Sequence, residues 1–426
     1  MNFYYNIEKA MNYLFNAFAK SITIFTKKNE HKRKVDMFMK TAKKIVSKLL
    51  AATLALTLGA AALTSCGSGT SYTDGNTEYF IGATGPLTGD ASSYGISVEK
   101  GAELAVEEIN AQGGLNGVTF HFEMLDDGAT ADKAATGYTT LYEKGMQISI
   151  GSVTSGSCAS FAASSKDDKV LFMTPSASAA DVIAASDYGF RVCFGDPQQG
   201  TIAADTLTKD YSKIGVIYDT SDTYSSGIYA AFEAEMTTLG KKSGTDYFVY
   251  TFNKENNKDF STQVDGLSAE GCEVIFLPIY YTEAGLIAKR AASSGYNVPI
   301  FGCDGLDGIA DQLDSSVTAQ VQYITPFDVN STDADVAAFV SAYTEKYGET
   351  PDQFAADGYD AVKILYSAMT AAGVDNVTID PASLADLVKP ILTGGTFSYS
   401  GVTGKHMTWT TDGSCNKDAN IVTLDR

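Results

Sequence analysis

The sequence predicts an α/β fold assembled from two successive units. Strand and helix signals alternate in a βαβα rhythm from Tyr79 onward, and the rhythm starts again after Asp196-Pro-Gln-Gln-Gly. The 426 residues suffice for two or three domains with sizeable cores. No repeat period is short enough for a solenoid.

Charge is divided sharply along the chain. Residues 1–65 hold eleven of the 31 basic residues and three of the 51 acidic ones, which leaves 20 basic against 48 acidic residues beyond them, a net of −28. Such a body is a poor partner for nucleic acid, whose phosphates need the opposite sign, and solubility accounts for the acidity. Met39-Lys-Thr-Ala-Lys-Lys-Ile-Val-Ser-Lys is basic, Leu49 to Leu63 is apolar, and Leu63-Thr-Ser-Cys66 closes the run. That is the layout of a secretory signal, with an apolar run short for a membrane span. Leu-Thr-Ser-Cys also resembles a bacterial lipobox, which implies lipidation at Cys66. Residues 39–65 are therefore read as a lipoprotein signal peptide and residues 66–78 as a polar tether with nothing to bury. Residues 1–38 are too long and irregular for the basic region of a signal. They either precede a start at Met37 or Met39 or form an additional cytoplasmic tail.

The body follows in order. Tyr79-Phe-Ile-Gly-Ala reads as a strand, and Val98, Ala102, Ala105, Val106 and Ile109 share one helical face that stops at Gly113-Gly114. Val118, Phe120, Phe122 and Met124 alternate as a strand, and Ala131 to Lys144 is helical. In the second unit Lys213-Ile-Gly-Val-Ile-Tyr is a strand, Gly227 to Leu239 a helix and Tyr247-Phe-Val-Tyr-Thr-Phe a strand. Phe260 to Ala269 is a helix, Glu273-Val-Ile-Phe-Leu-Pro a strand, Thr282 to Ser293 a helix and Ile300-Phe-Gly a strand. Helices at Ala334 to Lys346 and Asp360 to Ala372 precede short β-like pieces around Phe397 and Met407-Thr-Trp-Thr.

Between the two units, Gln147 to Ala180 holds two apolar strand signals, each followed by a hydroxyl-rich loop that opens a helix. Side by side at the carboxyl ends of parallel strands, such loops would ring an anion with neutral donors from Ser152, Thr154, Ser155, Ser157, Ser176 and Ser178. Taken singly, each is an ordinary cap or turn residue; the pairing of two loops makes a carboxylate site the sharper expectation.

Catalytic chemistry finds little support. The three histidines are His31, His121 and His406, and no Gly-x-Ser-x-Gly elbow, Walker loop or H-E-x-x-H motif occurs. Asp126-Asp127 reads as a strand-end turn rather than an acid/base pair. A hydrolase built on Ser155 would need a base that the sequence does not offer. Cys158, Cys193, Cys272, Cys303 and Cys415 are scattered singly in mostly apolar runs, so buried free thiols are expected, with neither a metal site nor a cofactor.

Ile81-Gly-Ala-Thr-Gly-Pro-Leu-Thr-Gly, Gly101-Ala-Glu-Leu-Ala-Val-Glu-Glu-Ile-Asn-Ala-Gln-Gly-Gly, Ile150-Gly-Ser-Val-Thr-Ser, Tyr280-Tyr-Thr-Glu-Ala-Gly, Gly358-Tyr-Asp-Ala and Phe397-x-x-x-Gly-Val-Thr-Gly occur in one ordered series. From about Glu78 to the end, the chain resembles the leucine/isoleucine/valine-binding proteins of ABC transporters. The resemblance implies a type I periplasmic-binding fold of two Rossmann-like lobes with parallel sheets, joined by a three-segment hinge. Residues 79–196 and 327–398 would form the N-terminal lobe, and residues 197–326 and 399–426 the C-terminal lobe. The chain would leave the first lobe near Asp196, return near Thr325 to Asp328 and cross again near its end.

The same resemblance implies the site. Ser155, Ser176, Ala177 and Ser178 would hold an amino-acid carboxylate, Ser178 standing where the family has a threonine. Asp304, in Gly302-Cys-Asp-Gly305, would take the ammonium in place of the family's commoner, longer Glu. Tyr94, Tyr224 and one of Tyr280 or Tyr281 would form aromatic walls. A zwitterion leaving water needs both charges met in this way. The expected role is that of a monomeric lipid-anchored binding protein on the outer face of the cytoplasmic membrane, delivering a branched-chain or otherwise apolar amino acid to an ABC permease. The alternatives are the same transport role for an amide, urea-like compound or organic acid, and a ligand-sensing receptor module. A receptor would normally continue into a membrane span, whereas this chain ends in a polar tail at Arg426.

Overall fold

In the computed structural model, residues 72–424 are described. The extension, the signal peptide, Cys66 and all of the tether before residue 72 lie outside the described residues. Among the described residues no helix is long and apolar enough to cross a membrane.

Two sheets organise the body. The first contains β1 (Tyr79–Gly85), β2 (Phe120–Asp126), β3 (Ile148–Ser152), β4 (Phe172–Thr174) and β5 (Gly189–Arg191), in the order β2-β1-β3-β4-β5 and all parallel. The second contains β6 (Ile214–Asp219), β7 (Tyr247–Phe252), β8 (Val274–Leu277), β9 (Ile300–Gly302) and β10 (Val321–Thr325) in the equivalent order β7-β6-β8-β9-β10. Strand β13 (Asn420–Thr423) closes the β10 edge antiparallel. Both sheets are doubly wound, so each has a switch point at the carboxyl ends of its first and third strands, where ligands bind in open α/β sheets.

Helices cover both sheets. In the first lobe α1 (Ser92–Ala111), α2 (Ala131–Glu143), α3 (Ser155–Asp168) and the short α4 (Ala180–Ala184) follow successive strands. In the second, α5 (Asp196–Asp210), α6 (Thr223–Thr238), α7 (Ser261–Glu270) and α8 (Tyr281–Ser293) do the same. The chain then returns to the first lobe with α9 (Ala334–Tyr347), α10 (Gln353–Ala371) and α11 (Pro381–Thr393). Apolar helix faces meet buried strand residues in two clusters, Tyr138, Leu141 and Phe161 with Phe172 of β4, and Ile228 and Phe232 with Phe276 of β8 and Phe301 of β9.

The expected α/β rhythm is present, with differences that have local causes. Asp196-Pro197 is the first turn of α5 rather than a break between units, because proline fits the first turn, where an N–H has no intrahelical partner. The same dipeptide, Asp380-Pro381, starts α11, which periodicity had left unassigned. Helix α10 begins seven residues before Asp360, capped by Asp352, whose carboxylate accepts from Ala355 N–H at 2.9 Å. Gly358 is therefore inside the helix, where a Cβ would lie 2.5 Å from Val98 O, and Gly101 of α1 faces Ala355 O in the same way. Close approach of α1 and α10 requires both glycines.

The assignment of residues 399–426 to the second lobe needs correction. The hairpin of β11 (Thr408–Trp409) and β12 (Cys415–Asn416) sits against β5: Trp409 Nε1 donates to Arg191 O at 2.8 Å, and Arg191 N donates to Gly413 O. Only β13 joins the second sheet, so the third crossing is at Lys417–Ala419. Lys417 is fully buried there, donates to Thr403 Oγ1 at 2.8 Å and lies 3.9 Å from Asp357 of α10. The five cysteines from Cys158 to Cys415 are buried and unpaired. Asp126 closes a strand-end turn by accepting from Leu87, Thr88 and Gly128 N–H groups.

Gly101→Ala should destabilise the fold by about 1–3 kcal/mol, read by urea denaturation. Its Cβ would stand 1.9 Å from a backbone oxygen, and that clash outweighs the roughly 1 kcal/mol of helix propensity gained.

Candidate ligand-binding cleft

Each residue expected at the site lies just beyond the carboxyl end of a strand or on the helix that follows. Strand β3 runs into Val153 and Thr154 before α3 starts at Ser155; β4 runs into Pro175 to Ala179. These two loops lie side by side. Ser176 Oγ donates to Val153 O at 2.8 Å, Thr174 Oγ1 donates to Ser152 O at 2.7 Å, and Ser155 Oγ accepts from Ala179 N at 3.2 Å. Arg191 of β5 holds the second loop from behind, donating Nη2 to Ala179 O at 2.7 Å and Nη1 to Ser178 O.

Opposite them, the second lobe presents Tyr224 on α6, Tyr280 after β8, and Asp304 and Gly305 after β9. Asp222 caps α6 by accepting from Ser225 N at 2.9 Å. The Tyr224 and Tyr280 rings stack with centroids 5.1 Å apart. Gln199 Oε1 accepts from Asp304 N at 3.0 Å, and Tyr224 Oη accepts from Gly305 N at 2.9 Å. The lobes meet at Tyr94: its hydroxyl donates to Gly305 O at 2.5 Å and accepts from Tyr281 N at 3.1 Å, while its ring stacks on Phe354 with centroids 4.1 Å apart. Thr282 Oγ1 donates across the cleft to Asp90 O at 2.8 Å, and Lys258 pairs with Asp90 at 3.1 Å.

These contacts close the cleft down to a cavity of about 20 Å³, lined by Tyr94, Val153, Thr154, Ser155, Ser176 and Phe354 from the first lobe and Tyr224, Tyr280, Asp304 and Gly305 from the second. A larger hollow of about 500 Å³ lies on the outer side of the Arg191 loop, between α4 and the β11–β12 hairpin. The smaller cavity has the chemistry of a charged-ligand site. Its first-lobe wall is the start of α3, whose leading N–H groups have no intrahelical partner and whose dipole favours an anion. Thr154, which lines it, carries a buried hydroxyl without a hydrogen-bond partner. Its second-lobe wall is Asp304, which is buried, has Oδ1 unpaired and is pushed up to about 6 by burial, opposed by its contacts with Tyr224 and Gln199.

Tyr94, Ser155, Ser176, Tyr224, Tyr280 and Asp304 all come together at the cavity. Tyr281 stands behind Tyr94, its ring edge-on at 4.9 Å. Ala177 and Ser178 lie outside the lining; Ala177 N already donates inward to Thr174 Oγ1 at 3.1 Å. Ser176 spends its hydroxyl proton on Val153 O, and Ser152 donates to Asp127 Oδ2 at 2.6 Å, which removes Ser152 from the site. Periodicity gave no hint of Phe354, although Pro351-Asp352 before it is a helix-start signal that sets it in the first turn of α10. Asp196 and Gln199, on one face of the first turn of α5, were also missed. Asp196 is buried beside the Ser178 hydroxyl, and burial, opposed by that hydroxyl, holds it well above the usual carboxylate range.

A model of the family described as "Periplasmic binding protein" matches residues 78–426. A Leu/Ile/Val-binding protein homolog of Brucella melitensis is 30% identical over 330 residues, covering 75% of this chain and 86% of that protein. The branched-chain amino acid transporter substrate-binding protein LivJ of Streptococcus pneumoniae, solved with isoleucine, superposes with a TM-score of 0.72 at 28% identity, over 82% of this chain and 96% of that one. The leucine-binding protein LivK of Thermotoga maritima superposes at 0.71 with 25% identity, over 80% and 94% of the two chains. With two doubly wound lobes closing on a cavity at their switch points, and a family match spanning its whole described body, the chain belongs to the periplasmic binding proteins, in their type I, leucine/isoleucine/valine-binding branch.

Proposed function

We propose that this protein captures a branched-chain or otherwise apolar amino acid by cleft closure and hands it to the permease of an ABC importer. The observation that carries the reading is the polarity of the closed cavity: the start of α3 at one wall, and a buried carboxylate with a free oxygen at the other. In this reading Ser155 and Ser176, with Ser178 and Ala177 supporting the second loop, receive the ligand carboxylate. Asp304 receives the ammonium, and Val153, Phe354, Tyr94, Tyr224 and Tyr280 receive an apolar side chain. Since the two charges are met by different lobes, the ligand binds fully only when the lobes are closed, which couples occupancy to the shape a permease can recognise. We place the protein outside the cytoplasmic membrane, tethered through lipid on Cys66 and monomeric. The relatives whose names describe binding of leucine, isoleucine or valine support the ligand class.

Calorimetric titration with free amino acids, their amides and N-acetyl derivatives tests this. Leucine, isoleucine or valine should bind, and blocking either end should abolish the heat. Heat from an amide or organic acid alone would replace the amino-acid reading with transport of those compounds. Asp304→Asn should weaken amino-acid binding by about 2–5 kcal/mol, with an unchanged affinity excluding the ammonium role.

Binding should also weaken at acid pH, as Asp304 becomes protonated. Burial raises the Asp304 carboxyl in the closed cavity, an ammonium beside it favours the ionised form, and so binding releases a proton wherever the free site holds one. A pH series of dissociation constants for leucine reads this, and Asp304→Asn should flatten the acid limb.

A further inference from the structure

Away from the ligand cavity, two carboxylates from different lobes meet around the start of α10. Asp307 ends the turn that begins at Asp304 and belongs to the second lobe; Asp352 caps α10 and belongs to the first. Asp307 Oδ2 accepts from Gln353 N, the residue next to Asp352, at 2.8 Å. One helix N-terminus is therefore capped twice, by its own Asp352 on Ala355 N and by Asp307 reaching across the cleft. Gln353 Nε2 also donates to Asp304 O at 3.2 Å, so this contact ties the closed position of the ammonium acceptor to α10.

The surroundings supply hydrogen-bond donors but no countercharge. Asp307 accepts from Gly308 N at 3.0 Å and Tyr323 Oη of β10 at 3.1 Å; Asp352 accepts from Ser97 Oγ of α1 at 2.6 Å. The charged and titratable groups facing the pair are Asp304 on the same turn, Asp328 across the shared hollow, Asp357 one turn along α10, Tyr323, Tyr343 and Glu349. Lys100 of α1 is held by Glu349 at 2.5 Å. Among the described residues, neither Asp307 nor Asp352 forms a salt bridge.

We propose that lobe closure takes up a proton at the Asp307–Asp352 pair, so that the protein closes more firmly on its ligand as pH falls through neutrality. This rests on the cleft-closure reading above. In the closed form burial, and then Asp307, push Asp352 up to about 7, and burial raises Asp307. Opening removes each carboxylate from the other, and both return toward the ordinary range of about 4. Closure therefore binds a proton between those limits. The closing equilibrium strengthens as pH drops below about 7 and is flat above it.

The effect is separable from that of Asp304, which acts at lower pH and in the opposite direction. Between pH 8 and 6.5 the dissociation constant of the wild type for leucine should fall roughly threefold, with up to about half a proton taken up per ligand at pH 7, measured by titration in buffers of different ionisation enthalpy. Asp352→Asn keeps a capping oxygen for α10, so it should fold, abolish the uptake and bind at pH 8 more tightly than the wild type does at that pH. Asp307→Asn should behave alike. Equal proton uptake and equal pH slopes in the wild type and both variants would overturn the proposal. If leucine, isoleucine and valine give no heat at any pH, the amino-acid reading fails and the pair is read on ligand-free protein by small-angle scattering. Contraction from pH 8 to 6.5 in the wild type but not in Asp352→Asn supports it, and identical profiles overturn it.

Discussion

A buried carboxylate with an unpaired oxygen is costly, and the closed cleft contains one at its centre. Asp304 is held by its backbone, through Gln199 and through Tyr224 on the adjoining Gly305, while Oδ1 has no partner. Burying an unmet charge is expensive enough that a group of this kind is either neutral or waiting for a cation. The first lobe supplies the complementary feature, a helix start with free N–H groups. The closed form is thus a structure with two unsatisfied poles, and a zwitterion satisfies both at once.

The fold sets those poles opposite each other by repeating one topology. In each sheet the switch point lies at the carboxyl ends of the first and third strands, and the two lobes face one another at those ends. Tyr94, Tyr224 and Tyr280 then fill the seam. Their hydroxyls and rings engage Gly305, Asp222 and one another, so the aromatic walls also form the contact between lobes. The turn from Asp304 to Asp307 is gripped from both sides, by Gln199 and Tyr224 within its own lobe and by Tyr94 and Gln353 from the other. The residues that line the cavity and those that join the lobes are largely the same.

The parts of this arrangement legible in the sequence are those with a local signal. Buried parallel strands show as short apolar runs, and the hydroxyl-rich loops after β3 and β4 announce a helix start near an anion site. Asp304 in its Gly-flanked turn carries no such signal; only resemblance to a family distinguishes it from an ordinary turn residue. The sequence also could not show that Ser152 and Ser176 spend their protons on Asp127 and Val153, because those partners are set by strand pairing. Strands β11 and β12 are two residues each, and the hairpin takes its place from Trp409 and Gly413 meeting β5, a tertiary choice with no periodic trace. Phe354 was hidden because Gly358 obscured the early start of α10, and that glycine is there to admit α1.

A crystal structure of the protein with isoleucine would show which charge of the ligand faces which lobe. The carboxylate should lie at hydrogen-bond distance, about 2.7–3.2 Å, from Ser155 and the start of α3, with the ammonium equally close to Asp304 and the side chain between Phe354 and the tyrosines. An ammonium on the first lobe, or an isoleucine held without contact to Asp304, would contradict this orientation.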